Sequence, residues 1–222
     1  MKSSSVALGC IALALGMGAS SAPQAAPVKY TYSGSINDIR DFNGTDIETL
    51  IPYQAKFNGS FTYDSAAPFA YMIEPGRAMF SGPHEQLTAQ VHSLITSGTG
   101  GQTQLFDGYN GPDMLFLSAS DYTLENLPGT LSGYAVTRIQ LYGNIESMRL
   151  PAKLNLSDFW GLFQLTGYSP TASAPSYFSW HLGGTIDTLQ VAEEVPEPST
   201  YSILALGLLC VGVSRLPKRV KN

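Results

Sequence analysis

The chain has 222 residues, of which 44% are hydrophobic and 13% are charged, and its formal net charge is −5. The charged fraction is about half of the ~25% that is usual in globular proteins, which argues against long coiled coils, charged disordered tails and solvated helical bundles. Both cysteines, Cys10 and Cys210, lie in apolar segments near the ends of the chain. The central part must therefore hold its fold without disulfide bonds.

Residues 1–26 have the composition of a secretion signal. Lys2 precedes a short apolar run from Val6 to Leu15, and small residues follow it. A basic start, an apolar stretch and small residues before a cleavage site are the three parts of a signal peptide. We therefore expect export and removal of this segment, with cleavage between residues 21 and 27. A retained N-terminal membrane helix is the alternative.

Residues 27–194 predict one β-rich domain. Apolar and polar residues alternate, as in the runs that contain Val28, Tyr30 and Tyr32, and turn-forming residues such as Asn43 and Gly44 separate these runs. Short alternating runs between turn signals indicate an all-β sandwich or barrel. We predict a single antiparallel β-sandwich that resembles a jelly roll.

One segment near position 158 leaves two local structures open. Ser157 and Asp158 precede Phe159 and Trp160. The two polar residues could cap a short helix, whereas the alternative is a strand with a bulge.

The charge of this domain excludes one class of ligand. Residues 27–194 contain seven basic and sixteen acidic residues, a net charge of −9. Proteins that bind nucleic acid present clustered lysine and arginine to the phosphate backbone. No such basic stripe occurs here, and we expect no nucleic-acid partner.

The clearest candidate for a metal site is the loop after position 106. Asp107, Asn110 and Asp113 supply hard oxygen atoms within seven residues, the ligand type that calcium prefers. Their spacing does not match the helix–loop–helix calcium loop, and aspartate and asparagine with glycine also form ordinary β-turns. Calcium binding and a plain turn are both open, and no other cofactor is indicated.

No catalytic motif stands out. His84, His92 and His181 have no short metal-ligand spacing, and His92 is expected on the polar side of a strand. The sequence has no nucleophile elbow, phosphate loop or dinucleotide fingerprint. We expect no enzyme activity. A pair of carboxylates across a cleft, as in glycoside hydrolases, is a pattern that sequence spacing does not reveal.

Aromatic residues offer a second kind of candidate site, because their rings can stack on sugars. Alternating aromatics in a sandwich more often form the core and cross-strand pairs. The core is therefore the expected place for most of them, and a sugar-binding face is the alternative. The candidates are Tyr30, Tyr32, Tyr63, Tyr109, Tyr134, Tyr168, Tyr177 and Trp180.

Residues 195–222 predict a membrane-directed tail. Counted from Ser199 to Leu216, the apolar span has eighteen residues. As a helix it would be ~27 Å long, close to the ~30 Å hydrocarbon core of a bilayer. Arg215 lies at the end of this span and three further basic residues follow it; positive flanks stay in the cytoplasm, so the domain is expected outside it. The basic end consists of Arg215, Lys218, Arg219 and Lys221.

This tail resembles the PEP-CTERM sorting signal found on envelope proteins of exopolysaccharide-producing Gram-negative bacteria. The resemblance rests on the proline-flanked acid, the glycine-containing apolar span and the basic end. It implies an exosortase, a membrane enzyme with a catalytic cysteine, as the partner that recognises and processes the tail. An ordinary single-pass anchor is the alternative. The matching motif is Val195, Pro196, Glu197, Pro198, Ser199 and Thr200.

The combined expectation is an exported, non-catalytic envelope or matrix protein. It would first be tethered to the inner membrane with its domain outside the cytoplasm, and would be located in the envelope or outside the cell after processing. The first alternative is a carbohydrate-binding module or adhesin associated with extracellular polysaccharide and biofilm, assisted by calcium. The second is a secreted polysaccharide-active enzyme.

Overall fold

The computed structural model describes residues 27–80, 86–108, 112–121, 134–145, 148–168 and 179–194. The predicted signal peptide, the predicted tail and Asn110 lie outside these ranges. Within them, no helix has the length and apolar character that a membrane crossing requires. The elements are β1 (Val28–Asp41), α1 (Ile47–Leu50), β2 (Lys56–Tyr63), β3 (Phe69–Glu74), β4 (Arg77–Phe80), β5 (Leu87–Val91), β6 (Leu94–Phe106), β7 (Asp113–Asp121), β8 (Tyr134–Gly143), β9 (Phe159–Tyr168) and β10 (Trp180–Glu194).

All strand pairs are antiparallel and belong to one sheet. Eight strands follow one another in the order β1, β2, β5, β6, β7, β8, β9 and β10, and β10 pairs again with β1. The sheet is therefore closed. The prediction of an all-β antiparallel domain is confirmed, but a single closed sheet replaces the two packed sheets of a sandwich. The reason is β6, which pairs with β5 and also with β7 and so joins the two halves.

The alternation along the strands separates an inner from an outer face. Most of the large inner-facing residues of β1 and β2 are aromatic and form the centre of the core, where Tyr30 stacks on Phe61 with ring centroids 5.5 Å apart. Tyr32 is buried with them and donates a hydrogen bond to the Thr88 carbonyl at 2.8 Å. Large rings fit because glycines face them: the Tyr32 ring lies directly over Gly59.

The aromatic residues singled out from the sequence divide between the two faces. Tyr30, Tyr32, Tyr63 and Trp180 are fully buried, which confirms the core interpretation for them. Tyr134 and Tyr168 are half-buried on β8 and β9, where they pair with ring centroids 5.0 Å apart. Tyr109 and Tyr177 lie outside the described residues.

Two local predictions are settled by the strand boundaries. Residues 156–158 form a turn and Phe159 begins β9, so the short helix predicted as one alternative is wrong. His92 is exposed as expected, but it lies in the two-residue turn between β5 and β6 with a φ of 54°, and not on a strand. The strand β5 ends at Val91, one residue before His92, because Val91 pairs with Leu94 across this turn.

A short hairpin extends from the closed sheet. Its strand β4 pairs with residues 103–106 of β6, whereas β5 pairs with residues 94–98 of the same strand. The other strand of the hairpin, β3, pairs with β4 and stands at the end of the strand order. Among the described strands, the second edge of β3 has no neighbour.

Candidate functional site

An open hollow of about 300 Å³ lies on the outer face of the closed sheet. Four neighbouring strands contribute to it, because Arg40 on β1 pairs with His181 on β10, and His181 pairs with Thr166 on β9. On the next strand, Arg138 of β8 pairs with Gln164 of β9. We call this site the outer hollow; it is lined by Asp38, Arg40, Phe42, Arg138, Gln164, Thr166 and His181.

A glycine keeps the outer hollow open. Gly183 on β10 lies between Asp38 on β1 and Gln164 on β9 in the strand register. A Cβ at this position would lie 3.2 Å from Nε2 of His181 and 3.2 Å from the Cβ of Asp38. A methyl group here would require these neighbours to move by a few tenths of an ångström, and a longer side chain would fill the space between them.

One carboxylate and one guanidinium of the outer hollow neutralise each other. Nε of Arg40 donates to Oδ1 of Asp38 at 3.0 Å, and Nη2 lies 2.9 Å from Oδ2. This two-point contact raises the pKa of Arg40 above its usual value. Arg40 is exposed and Asp38 is half-buried at the surface, and surface pairs of this kind contribute little to stability. The two contacts with Arg40 hold the Asp38 carboxylate in place.

Burial favours the neutral form of the histidine in the outer hollow. Burial lowers the pKa of His181, and the positive charges of Arg40 and Arg138 act in the same direction, while Asp38 opposes them. Nε2 of His181 lies 3.8 Å from Oδ2 of Asp38, which is beyond hydrogen-bond distance. The second ring nitrogen, Nδ1, lies 3.2 Å from the Thr166 hydroxyl.

Arg138 supplies the positive charge of this face. Among the described residues, no salt bridge involving Arg138 is observed, in contrast to Arg40. It also influences Tyr168: burial raises the pKa of Tyr168, and the charge and hydrogen bond of Arg138 act against this rise. The guanidinium is thus positioned by a tyrosine and not neutralised by a carboxylate.

Next to the outer hollow, two aromatic side chains form an exposed platform. Tyr142 on β8 and Trp160 on β9 pair across the strands and stack with ring centroids 4.3 Å apart and an angle of 12°. Trp160 keeps 53% of its surface exposed. The sequence analysis did not identify these two residues as a candidate site.

Two amide side chains connect the platform with the outer hollow. The Tyr142 hydroxyl donates to Oε1 of Gln140 at 2.8 Å, and Nε2 of Gln140 donates to Oε1 of Gln164 at 3.4 Å. From Tyr142 to Arg138 the strand covers ~13 Å at ~3.3 Å per residue. Along this stretch of β8 and β9, the side chains present an aromatic surface first, then two amides and then a guanidinium. We call it the outer strip; it consists of Trp160, Tyr142, Gln140, Gln164 and Arg138.

In the predicted calcium loop, both carboxylate oxygens of Asp113 already accept hydrogen bonds from the backbone. Oδ1 of Asp113 accepts a hydrogen bond from the Gly108 N–H at 3.0 Å, and Oδ2 accepts one from the Ile145 N–H at 2.7 Å. Asp107 is exposed, and its backbone N–H donates to the Gly76 carbonyl at 2.6 Å. Asp113 therefore ties the start of β7 to two loops, and calcium binding here stays a prediction.

Within the described residues, no group of three or more acidic, histidine or cysteine side chains is arranged to hold a metal ion. The two described histidines also lie apart: His92 is in the turn between β5 and β6, and His181 is on β10. His84 lies outside the described residues. Apart from the Arg40–Asp38 pair, the outer hollow and the residues beside it therefore offer stacking, hydrogen bonding and the positive charge of Arg138.

Comparison with known proteins finds a match that lies near the C-terminus of the chain. A family model of the PEP-CTERM protein-sorting motif matches residues 194–216. The chain carries a PEP-CTERM sorting motif. The match confirms the resemblance seen in the tail, and it begins at Glu194, the last residue of β10. The chain matches no curated protein.

Proposed function

We propose that this chain is an exported envelope or extracellular-matrix protein whose closed-sheet domain is not an enzyme. The observation that carries the proposal is the PEP-CTERM motif at residues 194–216. On this route the signal peptide starts export, the apolar span halts it, and an exosortase processes the tail. The domain then remains in the envelope or is released outside the cell.

The distribution of charge supports this topology. Lys2 precedes the first apolar segment, and the basic end follows the second one. Positive residues beside a membrane span remain on the cytoplasmic side. Two spans with both basic ends inside place residues 27–194 outside the cytoplasm.

The geometry of the outer hollow favours a non-catalytic domain. Thr166, His181 and Asp38 follow one another in the order of hydroxyl, imidazole and carboxylate used by hydrolases. However, Thr166 is 2% exposed, so a substrate could not reach its hydroxyl. The distance of 3.8 Å from His181 to Asp38 also exceeds hydrogen-bond range. The arrangement fits a packed hydrogen bond better than a nucleophile and its base.

The sorting proposal is tested by changing the motif without changing the span. Replacing Pro196, Glu197 and Pro198 with alanine leaves the apolar residues and the basic end intact, so membrane insertion should hardly change. In a host that carries an exosortase, the variant should accumulate as the unprocessed form in immunoblots of the membrane fraction. Shortening and release equal to those of the parent would show that the motif has no sorting role.

A matched control separates orientation from processing. Replacing the four basic residues with glutamine keeps the proline-flanked acid and removes the charges that hold the C-terminus inside. This variant should show altered orientation of its C-terminus in protease-protection assays. The two variants therefore affect different measurements if the proposal is correct.

A specific observation favours carbohydrate binding as a second candidate function. Trp160 and Tyr142 stack on each other and leave a broad aromatic surface in solvent. Aromatic faces with polar neighbours suit sugar rings, because the ring carbons stack while the hydroxyl groups bond to amides. Gln140 and Gln164 lie beside this surface and provide such amides.

This candidate is tested by glycan-array binding with and without calcium. Trp160→Ala should weaken binding of the recognised polysaccharide at least tenfold, because it removes the aromatic platform. Ile95→Ala is the control: Ile95 is 62% exposed but lies on β6, away from the outer strip. Equal affinity of the Trp160 variant and the parent would refute the platform, and loss of binding without calcium would support calcium assistance.

A further inference from the structure

The strand β3 exposes more apolar surface than any other described strand. All six of its residues are exposed, on both faces. Four of them are large and apolar, and most such side chains are buried elsewhere in the domain. Their exposed fractions are 56% for Phe69, 55% for Tyr71, 49% for Met72 and 38% for Ile73.

This strand lies near the point where the chain leaves for the tail. Val28 pairs on one side with Glu194, the last residue of β10, and on the other side with Tyr63, the last residue of β2. The strand β3 begins at Phe69, six positions after Tyr63. The exposed apolar strand and the exit of the chain thus occupy the same end of the closed sheet.

The connection to the predicted membrane span is short. The span is expected to begin at about Ser199, which leaves residues 195–198 as the connection. Four residues reach at most ~14 Å even when fully extended. The sequence predicts an extended segment here, because a residue that precedes proline avoids the α region, as before Pro196 and Pro198. A domain tethered in this way stays close to the lipid surface, with β3 at its membrane-facing end.

The hairpin carries no net charge that would oppose approach to lipid. Its two charged residues form a pair, with Nη1 of Arg77 3.6 Å from Oε1 of Glu74. Arg77 is further held by Gln104, whose Oε1 accepts from Nη2 at 2.8 Å, and by the ring of Phe106 beneath it. The remaining residues of β3 are uncharged.

A lipid surface fits this strand better than another strand does. Pairing with a second copy needs a regular edge, but the β3–β4 ladder is interrupted between Phe69 and Tyr71 and again between Met72 and Glu74. Such bulges disturb strand addition. Strand addition would also leave the side chains of both faces in water. The headgroup region, in contrast, accepts aromatic and apolar side chains and keeps the backbone hydrated.

We propose that the β3–β4 hairpin docks on the lipid surface of the membrane into which the tail inserts. The proposal rests on the proposed function, since it requires a membrane-inserted tail. Docking would hold the domain against the bilayer and keep the sorting motif at the interface, where a membrane enzyme can reach it.

The test uses the full chain without its signal peptide, reconstituted in vesicles of phosphatidylcholine and phosphatidylglycerol. In the Cys210→Ser background, Tyr71→Cys carries an environment-sensitive dye. Ile95→Cys is the matched control, because Ile95 is 62% exposed and lies beside the turn at the opposite end of β5 and β6. We expect a blue shift and at least twofold quenching by brominated lipid at position 71, and neither effect at position 95.

The outcomes separate this proposal from the proposed function. If carbonate washing leaves the chain in the vesicles and position 71 is as accessible to water as position 95, docking is wrong and the tail anchor stands. If a blue shift at position 71 depends on protein concentration and not on brominated lipid, the strand pairs with a second copy and docking is also wrong. If carbonate extracts the chain, the membrane-inserted tail fails, and docking fails with it.

Discussion

Asp113 offers the sharpest test of how the domain is held together. Its two carboxylate oxygens accept hydrogen bonds from the N–H groups of Gly108 and Ile145 at 3.0 Å and 2.7 Å. In Asp113→Asn, one oxygen remains, and the new NH₂ group faces an N–H donor. Hydrogen bonds to a charged group contribute ~1.5–3 kcal/mol each, so losing one and weakening the other should cost about 2–4 kcal/mol.

The assay is thermal unfolding followed by circular dichroism. For a domain of this size, 1 kcal/mol corresponds to ~2–4 °C, so the melting temperature should fall by roughly 5–15 °C. Asp107→Asn is the control, because Asp107 is exposed and its hydrogen bond to the Gly76 carbonyl uses the backbone N–H. A surface change of this kind should cost less than ~0.5 kcal/mol.

Two results would contradict this account of Asp113. The first is a melting temperature of Asp113→Asn within ~2 °C of the parent, which corresponds to less than ~1 kcal/mol. The second is a rise in the melting temperature of the parent with millimolar calcium that both variants abolish. That result would support the calcium site predicted from the sequence, because both side chains would then act as ligands.

Three further predictions concern the core and the outer hollow. Gly167→Ala should destabilise the domain in urea titrations by ~2 kcal/mol or more, because the new Cβ would overlap the Trp180 ring. Burial raises the pKa of Tyr32 above its unfolded value of 10.0, so its contribution to stability is complete below pH 10 and is lost as the pH rises further. Tyr32→Phe should reduce this alkaline loss while costing about 1–3 kcal/mol at pH 7, because the Thr88 carbonyl loses its donor. Burial lowers the pKa of His181 below 6.5, so its contribution is present above pH 6.5 and is lost as the pH falls, and His181→Gln should flatten the stability curve between pH 7 and pH 5.

Local strand structure could be predicted from the sequence because it depends on alternation. In β2, Phe57, Phe61 and Tyr63 face inwards and are buried, while Lys56 and Asn58 face solvent. The closure of the sheet could not be predicted from alternation. It depends on which strands pair over long distances, such as β1 with β10, and the same alternating pattern fits two packed sheets equally well.

The outer strip shows a similar limit for the candidate site. Tyr142 and Trp160 become neighbours only through the register of β8 and β9. Tyr30 and Trp180 belong to equally regular alternating runs, yet they are buried in the core. Alternation indicates that residues share a face, but which face is the inner one is decided by the whole closed sheet. The sequence does not reveal the register between β8 and β9, and this register is what brings Tyr142 and Trp160 together.

The ends of the closed sheet explain how folding and sorting can be independent. The first strand begins at Val28 and the last strand ends at Glu194, and these two residues pair with each other. The predicted signal peptide ends before Val28, and the sorting motif extends from Glu194 towards the C-terminus. Removal of either segment outside this pair leaves every pairing of β1 with β2 and β10 in place. In the absence of lipid, the free energy of unfolding of residues 27–194 should consequently be the same before and after processing, because neither cut removes a strand from the sheet.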